Sequence, residues 1–344
     1  MPPTDNATKP TTLAAGLAAA AAVSLVAEVA ARLFVDAHGD PRVPAVILAL
    51  LLGAVAANAA GAGRKVLGPG LDFVKKRVLR AAIVLYGLGL TAKNLKAAGL
   101  PVLTLIAVCL LVSLGIAALL GAAFGASPKA KLLLGCGTAI CGATAVVTIA
   151  PLIEADDDEV GFAVATIFLF NLVALIAFPA IGHALHLSDV AFGAWAGTAV
   201  NDTSAVVATG RAFSGDAATF ATLVKVIRTL ALVPMAIVVG ASAGRLTGRA
   251  EGTRVPLAKI FPWFVLGFAL TAALAVFVPL PAVVTLWAKK VAGILVTSVL
   301  AAVGLHLDAR KIVGSGARSL ALGFAIAAAM AFVSFGLIRL LAIG

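Results

Sequence analysis

The chain has 344 residues, 62% hydrophobic and 12% charged, with a net charge of +11. Mean hydropathy is +1.12, far outside the range of soluble domains. Nucleic-acid binding is the soluble-protein reading of such a charge, but no soluble module is present to do it. Basic loops on the cytoplasmic side of a membrane account for the charge better.

Residues 1–11 form a polar leader, and 12–344 show one compositional regime, read as a single integral membrane domain. The stretch 12–35 is too long for a signal-peptide core and is kept as a membrane helix. Apolar segments follow at about 43–60, 78–92, 100–124, 131–153, 160–185, 188–212, 217–243, 258–278, 289–307 and 317–342. The expectation is an all-α polytopic membrane protein with about eleven transmembrane segments. The stretch at about 131–243 is expected to hold the transport elements, and the other helices the scaffold and repeat partners. The longer loops, 61–77 and 244–257, carry Arg64, Lys65, Lys75, Lys76 and Arg77, and Arg245, Arg249 and Arg254; Arg310 and Lys311 lie at 308–316. Basic loops set orientation, so these face the cytoplasm, the N-terminus is inside, and the acidic run Glu154–Glu159 faces outward. The pair Lys289 and Lys290 falls on the outer side and counts against this layout.

Two stretches look like copies of each other. Gly137–Val147 reads GTAICGATAVV and Gly197–Val207 reads GTAVNDTSAVV, identical at six of eleven positions. Both gather small and hydroxyl residues inside apolar surroundings, a composition suited to unwound backbone at mid-membrane depth. Such backbone is tolerated only where it lines a cavity or is buried in protein, and paired interruptions point to a transporter's substrate site. The breaks are expected near Thr138–Gly142 and Val200–Ser204. A second pair, GLGLTAKNL at 87–95 and GLHLDARKI at 304–312, supports inverted repeats. Two discontinuous crossing helices are favoured for the GTA copies; re-entrant hairpins, which would place the acidic run inside, are the alternative.

A broken helix presents unpaired N–H groups with positive partial charge, and ends aimed at one point attract an anion. Thr138, Thr144, Thr198, Thr203 and Ser204 add hydroxyls, and Gly135, Gly137 and Gly142 allow close backbone approach; Cys141, in the same stretch, is counted with the candidate site. Small residues by themselves serve helix packing equally well. The polar run Asn201, Asp202, Thr203 and Ser204 is explained poorly that way, because ionisable groups inside a membrane are costly and functional by default. Lys225 and Arg228, spaced i,i+3, share one helix face and with Asp202 leave a positive balance suited to an anion. Asn171 either bonds the broken backbone of a neighbour or bridges two helices. Glu28 lies in the first segment with no decisive reading. Cys109, Cys136 and Cys141 lie in apolar segments without His or carboxylate partners, and His183, His186 and His306 form no cluster. No metal site and no cofactor are expected. The absence of a nucleotide loop, a Ser/His/Asp set or an HExxH motif argues against an enzyme.

GCGTAICGATAVV, GTAVNDTSAVVATG and the basic KVIR at 225–228 together resemble the YeiH-type conserved membrane proteins, the family named for sulfate export. The resemblance covers nearly the whole chain. It implies membership of the cation/proton antiporter and anion transporter superfamily, inverted repeats, two discontinuous helices meeting at mid-membrane and elevator-type alternating access. GLGLTAKNL, the apolar helix after it and GCGTA are also similar to bile-acid-symporter-type repeats. The implied substrates are sulfate, related sulfur oxyanions and sulfonates, in a multi-pass protein of the bacterial inner membrane. Many relatives carry His before the Asp-Thr-Ser triplet; here it is Asn201, so a protonating His is not available at that point.

The resulting expectation is a secondary active transporter of a small anion, an exporter or exchanger. Its partners are the anion, a coupling ion (proton or sodium) and the bilayer, with a homodimer as one admissible assembly and no nucleic acid. The competing readings are a cation/proton antiporter using Asp202 as carrier carboxylate and, from another class, a channel or a non-transporting receptor. A channel needs a continuous polar lining and a receptor a soluble output module, and neither is evident.

Overall fold

The computed structural model describes residues 10–33, 43–60, 64–242, 261–307 and 317–344. Most of the leader, all of the 244–257 and 308–316 basic loops, and the second GLG copy beyond Leu307 lie outside the described residues. Every described element is a helix. Two compact units form, one from Met1–Gly89 and Gly267–Arg310, the other from Leu90–Leu266 and Lys311–Gly344.

The first unit contains α1 (Pro10–Leu33), α2 (Ala45–Ala60), α3 (Arg64–Phe73), a π-helical turn (Val74–Val78), α4 (Leu79–Gly87), α14 (Phe264–Phe277) from Gly267 onward, and α15 (Ala282–His306). Small residues let its helices meet backbone to backbone. A Cβ on Gly304 of α15 would lie 2.2 Å from the Leu50 carbonyl oxygen of α2, and one on Gly70 of α3 would lie 2.4 Å from that of Leu13 on α1. The segment 61–77, expected as a loop, is helical from Arg64 onward. Lys76 and Arg77 are exposed while Leu71 and Val74 are buried, so an amphipathic helix accommodates residues that composition assigns to a loop.

The second unit contains α5 (Ala92–Ala97), α6 (Leu100–Ala123), α7 (Pro128–Ala139), α8 (Ala143–Ile149), a 3-10 turn (Ala150–Leu152), α9 (Asp157–Ala184), α10 (Asp189–Ala199), α11 (Thr203–Phe213), α12 (Gly215–Leu230), α13 (Leu232–Ser242) and α16 (Ala317–Leu340). Ser127 and Ser188 cap α7 and α10, accepting from the N–H groups of Ala130 and Ala191. Asp156 and Glu159 form a capping box at the start of α9, so part of the acidic run serves a positive helix end. The apolar segment 217–243 divides at Ala231. Pro234 lacks the N–H that would bond Leu230, and its ring crowds that carbonyl. Helix α10 is buried over Ala191–Ala199 and packs on α12, which also packs on α11.

Six described helices are long and apolar enough to cross a membrane: Thr11–Leu33, Leu100–Ala123, Asp157–Ala184, Gly215–Ser242, Ala282–His306 and Ala321–Leu340. The other expected segments are shorter or come in two pieces. The twelve residues of α7 rise about 18 Å, against a hydrocarbon core of about 30 Å.

Candidate functional site

The two GTA copies break their helices at the same place. Helix α7 ends at Ala139 and α8 starts at Ala143; α10 ends at Ala199 and α11 starts at Thr203. The non-helical tripeptides Ile140-Cys141-Gly142 and Val200-Asn201-Asp202 occupy equivalent positions in the repeat. Gly142 takes φ +65, a region that favours glycine. A Cβ there would lie 3.2 Å from both Cα and N of Asp202, so the two breaks touch.

Helix breaks expose carbonyls at one end and N–H groups at the other. On the carbonyl side the accounts close almost completely. The Cys136 oxygen accepts from Ile140 N–H at 3.0 Å and the Gly137 oxygen from Gly142 N–H at 2.8 Å. Seven further carbonyls at the two breaks are met from α12. Lys225 Nζ donates to the oxygens of Ile140 (2.7 Å), Val200 (3.4 Å) and Asn201. Arg228 donates through Nε to Ala139 (2.5 Å), through Nη2 to Thr138, and through Nη1 to Gly197 (3.2 Å), Thr198 (2.6 Å) and Val200 (3.2 Å). The planar guanidinium has donors on several edges and so bridges the ends of α7 and α10. Both cations are buried, at 0% and 1% exposure. They lie at the negative ends of two helix dipoles, where positive charge is stabilised.

On the N–H side, Asn171 of α9 accepts through Oδ1 from the N–H groups of Asn201 (2.9 Å) and Asp202 (3.3 Å). Asp202 caps α11: its Oδ2 accepts from Ser204 N–H at 2.9 Å and from the Ser204 hydroxyl. No side chain caps α8 at Gly142. Asn201 is 3% exposed, and its Oδ1 is buried without a hydrogen-bond partner.

The sequence-predicted residues therefore divide. Gly142, Asn201, Asp202 and Ser204 lie at the junction, joined by Lys225, Arg228 and Asn171, while Thr138 and Thr198 contribute through their carbonyls. The Thr198 hydroxyl bonds Ala194 O of its own helix at 2.7 Å. Gly137 packs under Ile167 and Val146, Cys141 packs with Ala139, Ile140, Ala145 and Leu232, Thr203 is half-buried, and Thr144 is exposed. No group of three or more His, Cys, Asp or Glu suited to a metal occurs among the described residues.

Comparison with known proteins follows the same sequence. The family described as "Conserved hypothetical protein 698" matches residues 15–323. The chain belongs to that family. It is similar to proteins named "UPF0324 membrane protein". One, from Clostridium tetani, is 34% identical over 78% of this chain and 82% of the relative. Another, from Streptococcus agalactiae serotype V, is 34% identical over 83% and 86%. A third, from Fusobacterium nucleatum, is 33% identical over 80% and 84%. No solved structure matches the chain.

Sequence reasoning missed the acceptors. Ala139, Ile140 and Val200 hold the two cations through their main chains, and an apolar side chain gives no sign of that. The one signal was indirect: a broken helix must dispose of its carbonyls, and two cations with no carboxylate partner in their own segment needed acceptors.

Proposed function

We propose that this member of the family is a multi-pass secondary active transporter of a small anion in the bacterial inner membrane, with sulfur oxyanions and sulfonates as the substrate class. The observation that carries the reading is the junction itself. Two buried cations, Lys225 and Arg228, and one carboxylate, Asp202, meet where two equivalent helix breaks touch, a formal balance of one positive charge. With the cations occupied by carbonyls, the anion's contacts in this reading are N–H groups and hydroxyls at the starts of α8 and α11. Desolvated charge is costly unless it serves a ligand or a partner, and here it also holds the scaffold.

In the same reading α7–α8 and α10–α11 are discontinuous membrane helices, and the inverted relation is carried by the sequence copies at 87–95 and 304–312. About eleven segments enter the bilayer, and the body bearing the junction moves in elevator fashion. A proton or sodium ion is the coupling partner, and no enzymatic step or cofactor is involved. The competing reading, cation/proton antiport, draws on the half-buried carboxylate of Asp202 and the buried Asn201 oxygen, both cation-type ligands.

Purified protein is titrated with sulfate, sulfite, thiosulfate and alkylsulfonates by thermal shift, since ligand binding to the native state raises apparent stability. The same protein in liposomes is then assayed for labelled-anion counterflow. A stabilising anion that is also exchanged is the expected result. Sodium- or potassium-driven proton flux with no anion effect would establish antiport instead.

A further inference from the structure

The carbonyl ends of the broken helices are served by cations, but the N–H end of α11 is served by a carboxylate. Asp202 Oδ2 takes the Ser204 N–H and hydroxyl, the kind of donors an incoming anion needs. The cations are not at liberty to receive that anion instead. The three acceptors of Lys225 Nζ use its three hydrogens, and Arg228 is spread over carbonyls of both breaks. Asn201, next to Asp202 in sequence and almost wholly buried, holds an unpartnered acceptor oxygen; a buried acceptor calls for a donor, and a protonated carboxyl is one kind of donor.

We propose that Asp202 couples anion binding to proton uptake: anion and carboxylate compete for the N–H groups of α11, and the carboxylate takes one proton as the anion enters. This rests on the anion-transport reading above. The step is balanced: an O–H bond forms on Asp202, the proton comes from the aqueous side that delivers the anion, and nothing is oxidised or reduced. The driving term is repulsion, because two negative charges in one low-dielectric pocket cannot both persist. The charged and titratable groups acting on Asp202 are Lys225 on α12 and Cys141 in the facing break, with Arg228 behind them; α9 presents the neutral Asn171. Cycling between carboxylate-capped and anion-filled states would move one proton with each anion.

The test uses the full chain in detergent, with sulfate and methanesulfonate as probes. Both anions are far weaker bases than an ordinary carboxylate, so a proton taken up on binding resides on the protein. Calorimetry in buffers of different ionisation enthalpy counts that proton, and affinity is measured at about pH 6, 7 and 8. The expected result is uptake of about one proton per anion, with affinity falling up to about tenfold per pH unit across that range. In Asp202→Asn and Asp202→Ser, both good N-caps, binding should persist with uptake and pH dependence lost. Anion binding by the wild-type protein without proton uptake overturns the proposal and leaves the transport reading standing. Undiminished uptake in both variants places the proton elsewhere and overturns the assignment, as does loss of binding in both while they remain folded. If neither anion binds the wild-type protein, the anion reading fails and this inference with it.

Discussion

Arg228 shows how much of a buried side chain's bonding a sequence leaves unstated. A cation inside an apolar segment suggests a ligand contact, yet its donors go to Thr138, Ala139, Gly197, Thr198 and Val200 main-chain oxygens. Removing it leaves carbonyls of two helix ends unsatisfied. Arg228→Met is therefore expected to cost about 3–5 kcal/mol, the range for uncompensated buried charge and polar groups. Arg228→Lys should lose less, because a point charge reaches one helix end and not both. Thermal unfolding in detergent measures both; a wild-type melting temperature for Arg228→Met would exclude the capping role. Gly142 carries a different constraint, a left-handed backbone pressed against Asp202. Gly142→Ala should cost at least about 1–2 kcal/mol from backbone conformation alone, read in the same assay, with an additional loss where Cβ meets the second break.

At the scale of elements, the repeat is more than a likeness of letters. Equivalent tripeptides interrupt α7–α8 and α10–α11, each preceded by a serine-capped helix. The offset was legible because GTA repeats at a fixed spacing before a polar or small triplet. The close crossings were not. Gly304 is one glycine among many in the sequence, and only the packed helices reveal that a Cβ there would strike Leu50 O. Gly304→Leu is expected to destabilise the protein by about 1–3 kcal/mol through forced separation of α2 and α15. Gly115→Leu, in α6 where nothing lies within 4 Å, serves as the control and should not lower the melting temperature. Equal losses in both variants would mean that the crossing is not under tight steric control.

For the whole molecule, charge placement makes a definite statement about topology. With the basic loops cytoplasmic, residues Glu154–Glu159 face outward in the crossing arrangement and inward in the hairpin arrangement. Single cysteines placed near Asp157, in a chain with Cys109, Cys136 and Cys141 replaced, are expected to react with an impermeant maleimide in intact cells. Protection there, with a position near Lys76 protected as well, would favour the hairpins.

Hydropathy was sufficient, without coordinates, for an all-helical chain with apolar helices long enough to enter a bilayer. This is a local property, because apolar runs declare burial wherever they lie in the fold. The helix that starts at Arg64 escaped because the charged residues of this stretch mask an amphipathic face that only packing identifies. The partners of Lys225 and Arg228 escaped for a deeper reason. Main-chain carbonyls and N–H groups are the same at every residue, so which of them lack partners depends on where two distant breaks meet. That meeting, between residues some sixty positions apart, is decided by tertiary structure alone.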